Sequence, residues 1–167
     1  MFLIIAVGSS VYFIYESNKY NYIHTFNNSL AFNTKLLVDP QSEQIKKIIE
    51  KNYSFKGGWG CSVFESHNKL TTIKFAGFPD VLDKYILRYI KTSDKELKIY
   101  GYGVGDHKEK IVQTLQNKAF KIVLDTKDKN KIHLAYKKIN IELICENNYV
   151  ACICIHLTYS NKQNVVF

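Results

Sequence analysis

Residues 98–157, KIYGYGVGDHKEKIVQTLQNKAFKIVLDTKDKNKIHLAYKKINIELICENNYVACICIHL, decide the fold. The lead-in Gly101-Tyr102-Gly103-Val104-Gly105-Asp106 opens onto 107–118, where Ile111, Val112, Leu115 and Ala119 fall at helical spacing. Asp106 reads as the N-cap, and Glu109, three residues on, completes a capping-box-like pair. Strand candidates follow at 120–124, 132–137, 139–145 and 149–157. They are rich in β-branched and aromatic residues and are separated by DTKDKNK, Lys138 and ENN. The expected unit is a helix followed by an antiparallel meander.

Alternation sets the register expected in the last hairpin. A three-residue loop, Glu146-Asn147-Asn148, pairs Leu143 with Ala151 and Ile141 with Ile153. It gathers Ile139, Ile141, Leu143, Cys145, Ile153, Ile155 and Leu157 on one apolar face. Asn140, Glu142, Cys152, Cys154 and His156 share the opposite face, whereas a two-residue Asn-Asn turn would mix the two.

Working outward, the same order recurs about 67 residues earlier. Asp39-Pro40 supplies a cap and a proline at the first helical position. Ile45, Ile48 and Ile49 form the apolar stripe, Tyr53 falls where Phe120 does, and strand candidates follow at 61–65, 70–75 and 85–91. The expected class is therefore α+β, with two tandem helix-plus-antiparallel-sheet repeats behind an N-terminal apolar segment. The expected divisions are an apolar anchor (1–15), a linker (16–36), a first repeat (37–97) and a second repeat (98–167).

The run YILRYIKTSDKELKIYGYGVGDHKEKIV combines a strand, a short link, Gly101, Gly105 and Asp106, then a capped helix and a meander. In this it resembles the tandem small α+β repeat of exported bacterial proteins, the family of the beta-lactamase inhibitory protein and the small outer-membrane-assembly lipoproteins. The resemblance covers roughly residues 37–158. It implies a non-enzymatic binding module anchored outside the cytoplasmic membrane. The chain departs from the pattern in having no lipid-attachment cysteine behind its apolar run, and its first unit lacks the glycine-rich lead-in.

Charge points to few specific partners. The net charge is +8, but of the 23 basic residues Arg88 alone is arginine, and acids interrupt most lysine groups. Guanine readout and bidentate phosphate grips favour the planar guanidinium fork, so no nucleic-acid partner is expected. Nor is a phosphate cradle, because Asp106 would set a carboxylate where a phosphate should sit at the helix N-terminus. Residues 2–15, FLIIAVGSSVYFIY, carry no charge. As a helix they extend about 21 Å. No basic residue precedes them and no Ala-x-Ala site follows, so an uncleaved anchor with interfacial tyrosines fits better than a cleaved signal. The expected location is the cytoplasmic membrane, facing outside the cytoplasm.

The remaining chemistry is thin. Cys61, Cys145, Cys152 and Cys154 are expected to be free thiols, because residues two apart on a strand stand about 7 Å apart. That spacing is also too wide for tetrahedral zinc, so Cys152-x-Cys154-x-His156 is not expected to hold a metal. No cysteine and histidine share a catalytic signature, so no catalytic residue, cofactor or small-molecule substrate is expected. Phe55-Lys56-Gly57-Gly58-Trp59-Gly60 places the one tryptophan in a glycine-rich hairpin loop. Trp59 and Phe55 are the expected partner-binding residues, with Phe78 of Phe78-Pro79-Asp80 second. Asp39, Asp106 and Glu109 are expected structural caps. The functional expectation is protein binding by a membrane-anchored module. The rivals are a soluble cytosolic protein with a thiol- or metal-dependent activity, and a membrane-tethered immunity or antitoxin protein.

Overall fold

The chain merges its strands into one large sheet. The computed structural model describes residues 20–31, 35–78, 84–123, 128 and 130–158. Helix α1 (Asn21–Ser29) leads to β1 (Leu30–Ala31), and helix α2 (Glu43–Asn52) leads to β2 (Tyr53–Gly57), β3 (Cys61–Ser66), β4 (Thr71–Phe78) and β5 (Lys84–Thr92). Strands β6 (Lys98–Ile99) and β7 (Tyr102–Gly103) precede helix α3 (Lys108–Asn117). Strands β8 (Lys121–Ile122), β9 (Lys131–Tyr136), β10 (Ile139–Glu146) and β11 (Tyr149–Leu157) follow it.

The expected α+β class with two helix-plus-sheet repeats is overturned. Strand accounts for 47% of the structure, about twice the usual share, so the protein is mostly β. The sheet does not divide between repeats. One antiparallel sheet of eight strands runs β2-β3-β4-β5-β11-β10-β9-β8, and a separate small sheet runs β1-β6-β7. The union is made by β5 and β11, which pair Ile153 with Thr92, Cys154 with Lys91, Ile155 with Ile90 and His156 with Tyr89. Two half-sheets ending in apolar strands would each expose an edge, and pairing the edges removes both.

Side chains reinforce this seam. The Thr71 and Thr92 hydroxyls, both buried, lie 2.7 Å apart across β4 and β5. Arg88 is the extra residue of a β-bulge that sets Lys74 opposite Tyr89 and Phe75 opposite Leu87. Its guanidinium donates to the Gly77 carbonyl at 3.2 Å and to the Leu157 carbonyl at 2.7 Å, bridging β4 and β11 across β5.

The helices cover one face of the sheet. In β10, Ile139, Ile141, Leu143 and Cys145 are buried in strict alternation, as the sequence indicates. Ile111 and Leu115 of α3 are fully buried against this core, while Ile45 of α2 is buried and Ile48 and Ile49 are partly so. Complete burial of such an aliphatic side chain contributes about 1.5–3 kcal/mol.

The stretch read as a linker carries α1, which buries Ile23 and Phe26 and continues into buried Leu30. Phe26 packs against Phe120 with ring centroids 5.8 Å apart, and Tyr22 against Tyr136 at 6.0 Å. Buried Asn27 clamps the following chain: its amide donates to the Leu36 carbonyl at 2.9 Å and accepts from the Leu36 N–H at 3.0 Å. A buried amide is tolerated here because both its ends are satisfied.

The β10–β11 register corrects the expected loop. Asn147 and Asn148 alone form the turn, with φ of 50° and 70°, and Glu146 faces Tyr149. That is the type I′ geometry two asparagines favour. Leu143 pairs with Ile153 and Ile141 with Ile155, not with Ala151 and Ile153. A bulge opposite Ile144 and Cys145 resets the alternation, so a two-residue turn leaves the faces unmixed.

Candidate functional site

The β2–β3 hairpin stands at one end of the sheet with its apolar groups in solvent. Phe55 faces Phe64, which faces Ile73, so β2, β3 and β4 share this face. Phe55 packs edge-on against Phe64 at 5.4 Å, and Phe64 against Phe75 at 5.9 Å. The row runs outward from the core: Phe75 is fully buried, Phe64 partly buried, and Phe55 is 64% exposed. Beside it lies a shallow groove between α2 and β3, lined by Pro40, Ile49, Phe64 and Tyr85 among others. The Tyr85 hydroxyl donates to Ser62 Oγ at 3.0 Å.

Trp59 crowns the hairpin, and its side chain is fully exposed at 103%. The residue before it has to be glycine. Gly58 has φ of +148°, and a Cβ there would stand 2.4 Å from the Cys61 carbonyl oxygen, so no other residue fits without rearrangement. A bulge between Phe55 and Gly57 turns the strand end, and Lys56 at that bulge pairs with Glu65 at 3.2 Å. Register puts the end of β4 beside this hairpin: Cys61 pairs with Ala76, two residues before Phe78, which closes β4 opposite Lys84. Trp59, Phe55 and the backbone of Phe78 are thus gathered at one end of the sheet, while Pro79 and Asp80 lie outside the described residues.

The residues expected as caps do other work. Ser42 is the N-cap of α2, and Asp39 instead opens the turn before it, its carboxylate accepting from the Gln41 N–H at 2.7 Å. The N-cap of α3 is His107, without a side-chain bond. Asp106 turns its carboxylate back to the Gly103 N–H at 2.8 Å and to Lys98 Nζ at 2.9 Å. Those two bonds, the lysine's first, hold the Asp106 carboxyl below its ordinary range. Glu109 lies 3.6 Å from His107 Nδ1 and closes no capping box.

The uncovered face of the sheet carries a second group that sequence alone did not assemble. One cross-strand row reads His133, Glu142, Cys154 and Lys91, and the next reads Asn140, His156, Tyr89 and Lys74. His133 Nε2 lies 3.4 Å from Glu142 Oε2, and the Tyr89 hydroxyl donates weakly to Cys154 Sγ at 3.9 Å. Interaction with the Cys154 thiol lowers the Cys152 pKa to about 7, and interaction with Cys152 together with burial raises that of Cys154. Burial lowers that of His156. Alternation alone put Glu142, Cys152, Cys154 and His156 on one face, but His133, Tyr89 and Lys91 join them only through pairings absent from local sequence.

All four cysteines are free. Among the described residues, no group of three or more His, Cys, Asp or Glu side chains is arranged to hold a metal. Residues 1–15, read as an anchor, lie outside the described residues, and among those described no helix is long and apolar enough to cross a membrane. No family model, curated protein or solved structure matches the chain.

Proposed function

We propose that the protein is a non-enzymatic protein-binding module, held at the outer face of a cytoplasmic membrane by the charge-free run at residues 2–15. One observation carries the binding reading: the sole tryptophan is fully exposed at the tip of a hairpin, beside a phenylalanine that is 64% exposed. Exposing both rings to water is unfavourable at about 25 cal/mol per Å² of apolar surface. Aromatic residues so placed are the usual anchors of protein interfaces. The partner docks on Trp59, Phe55 and the neighbouring Tyr85, which is 38% exposed. The anchor raises the effective concentration of this surface for partners in the same layer.

The test is crosslinked capture from intact cells with full-length protein carrying Trp59, Trp59→Phe or Trp59→Ala. The expected result is a defined partner band retained by Trp59→Phe and lost in Trp59→Ala, with thermal melting unchanged in both. An identical band set in all three removes the hairpin from the function. A C-terminal tag shaved by external protease in the membrane fraction supports the location, and a soluble, protected tag overturns it.

A further inference from the structure

We infer that the surface carrying Trp59 and Phe55 receives a second copy of this chain, which pairs edge to edge with β2 about a two-fold axis at Phe55. The inference rests on the binding reading above and names its partner. Strand β2 closes one edge of the eight-stranded sheet, and among the described residues no strand lies on its outer side. The opposite edge, β8, is blunted by being two residues long. Strand β2 has five residues, and Ser54, Phe55 and Lys56 in succession are exposed. Its one charge does not guard the edge, because Lys56 is drawn to Glu65 at 3.2 Å.

Register decides which backbone groups face outward. The His67 N–H donates to the Asn52 carbonyl at 3.0 Å, one step beyond the pairing of Tyr53 with Ser66. Hydrogen-bonded and non-hydrogen-bonded pairs alternate along an antiparallel ladder. Ser54 and Glu65 are therefore the next bonded pair, and the Phe55 N–H and carbonyl point away from β3 to the open edge. An antiparallel copy centred on Phe55 presents the same two groups, so each Phe55 N–H meets the other copy's carbonyl. The bulge after Phe55 confines the main-chain pairing to that centre.

Self-complementarity selects a second copy as the occupant. The two-fold sets the 64% exposed ring of Phe55 beside its own counterpart, an aromatic cross-strand pair. Ser54 then faces the copy's Lys56, so like charges are not opposed. Strand direction carries each hairpin tip toward the end of the copy's α2. The fully exposed Trp59 thereby comes to the side of the copy's Lys51, the basic residue in the last turn of that helix. A lysine ammonium against an indole face is a favourable contact. Every contact occurs twice, as an isologous interface requires.

The test is sedimentation equilibrium of the full chain in density-matched detergent. The wild type should pass reversibly from monomer to dimer as concentration rises, and the emission of its sole tryptophan should shift to the blue in step. Residue 55 meets itself at the two-fold, so Phe55→Lys and Phe55→Glu should each weaken the dimer by more than ~10-fold. Mixing the two variants should restore it, because opposite charges then face each other across the axis. Association through residues 2–15, or through any contact not centred on residue 55, gives no such rescue. Dimers of equal strength in every sample, or a mixture that stays monomeric, overturn the proposal. Should the variants fail to fold, the wild type decides alone: a dimer with the blue shift supports the pairing, and a dimer without it or a monomer throughout overturns it. Trp59-dependent capture of a different chain by a monomeric wild type overturns the second copy and leaves the binding reading standing.

Discussion

Two hairpins close at opposite ends of the large sheet, and their contrast separates a contact built to hold from one left open. The β10–β11 turn is fastened to the entry of α3. The Lys108 N–H donates to the Asn148 carbonyl at 2.9 Å, Val150 N–H to Asp106 at 2.9 Å, and Gly105 N–H to Val150 at 2.8 Å. Tyr149 packs edge-on against His107 at 5.5 Å. The β2–β3 turn requires glycine at position 58, and its tryptophan is fully exposed. The first turn is held by backbone bonds to a helix entry, and the second leaves its tryptophan in solvent.

The largest expected effect tests where the aromatic row changes from core to surface. Phe75→Ala removes a fully buried ring and should cost about 3–5 kcal/mol in urea or thermal unfolding. Phe55→Ala, at the exposed end of the same row, should cost less than about 1 kcal/mol. Equal losses at both positions would make Phe55 a core residue and break the distinction between the two ends.

The contrast was partly legible in the sequence. Gly57, Gly58 and Gly60 around Trp59 mark a loop, and its tryptophan proves fully exposed. Alternation in β10 reveals its buried face because that face is strictly every second residue. The pairing of Tyr89 with His156 was invisible, since two strands 67 residues apart leave no local signal of their adjacency. The bulge at the last hairpin was missed for a related reason. An extra residue shifts register only against its partner strand, and nothing in Ala151 itself announces it. Helix α1 has a usable stripe, Ile23 and Phe26, continued by Leu30 at its end, but interspersed asparagines weaken it, and Asn27 proves to be a buried clamp. Asp106 was readable as an acidic residue at a helix entry, though its bonds run backward to the glycine loop.

Asp106 meets the fastened hairpin through its backbone carbonyl while its carboxylate braces the glycine loop beside it, and acid should loosen that brace. Its folded pKa is depressed by Lys98 and the Gly103 N–H. Its stabilising share is thus complete above the unfolded value of 3.8 and is lost as pH falls through the depressed folded value. Its side chain is 35% exposed, so solvent screening limits the effect to about 1 kcal/mol. Asp106→Asn should lose about that much at pH 7 and show a flatter stability curve below pH 5. Wild type and variant should converge in acid. Parallel curves for the two proteins would show that the carboxylate's charge contributes nothing to holding this end.

The smallest expected effect strengthens the fastened turn. Asn148 sits at φ of 70°, a conformation asparagine tolerates and glycine adopts without a Cβ penalty. Asn-Gly is the favoured pair for a type I′ turn, so Asn148→Gly should raise stability by a few tenths of a kcal/mol, about 0.5 at most. The contact to α3 is kept, because Lys108 binds the backbone carbonyl of residue 148 and not its side chain. Asn148→Val should have the opposite sign, since a β-branched side chain resists positive φ. The comparison needs both variants in one set of chemical unfolding curves. A destabilised glycine variant would mean that the Asn148 side chain helps to fasten the turn, and that the two hairpins differ in more than the backbone bonds to α3.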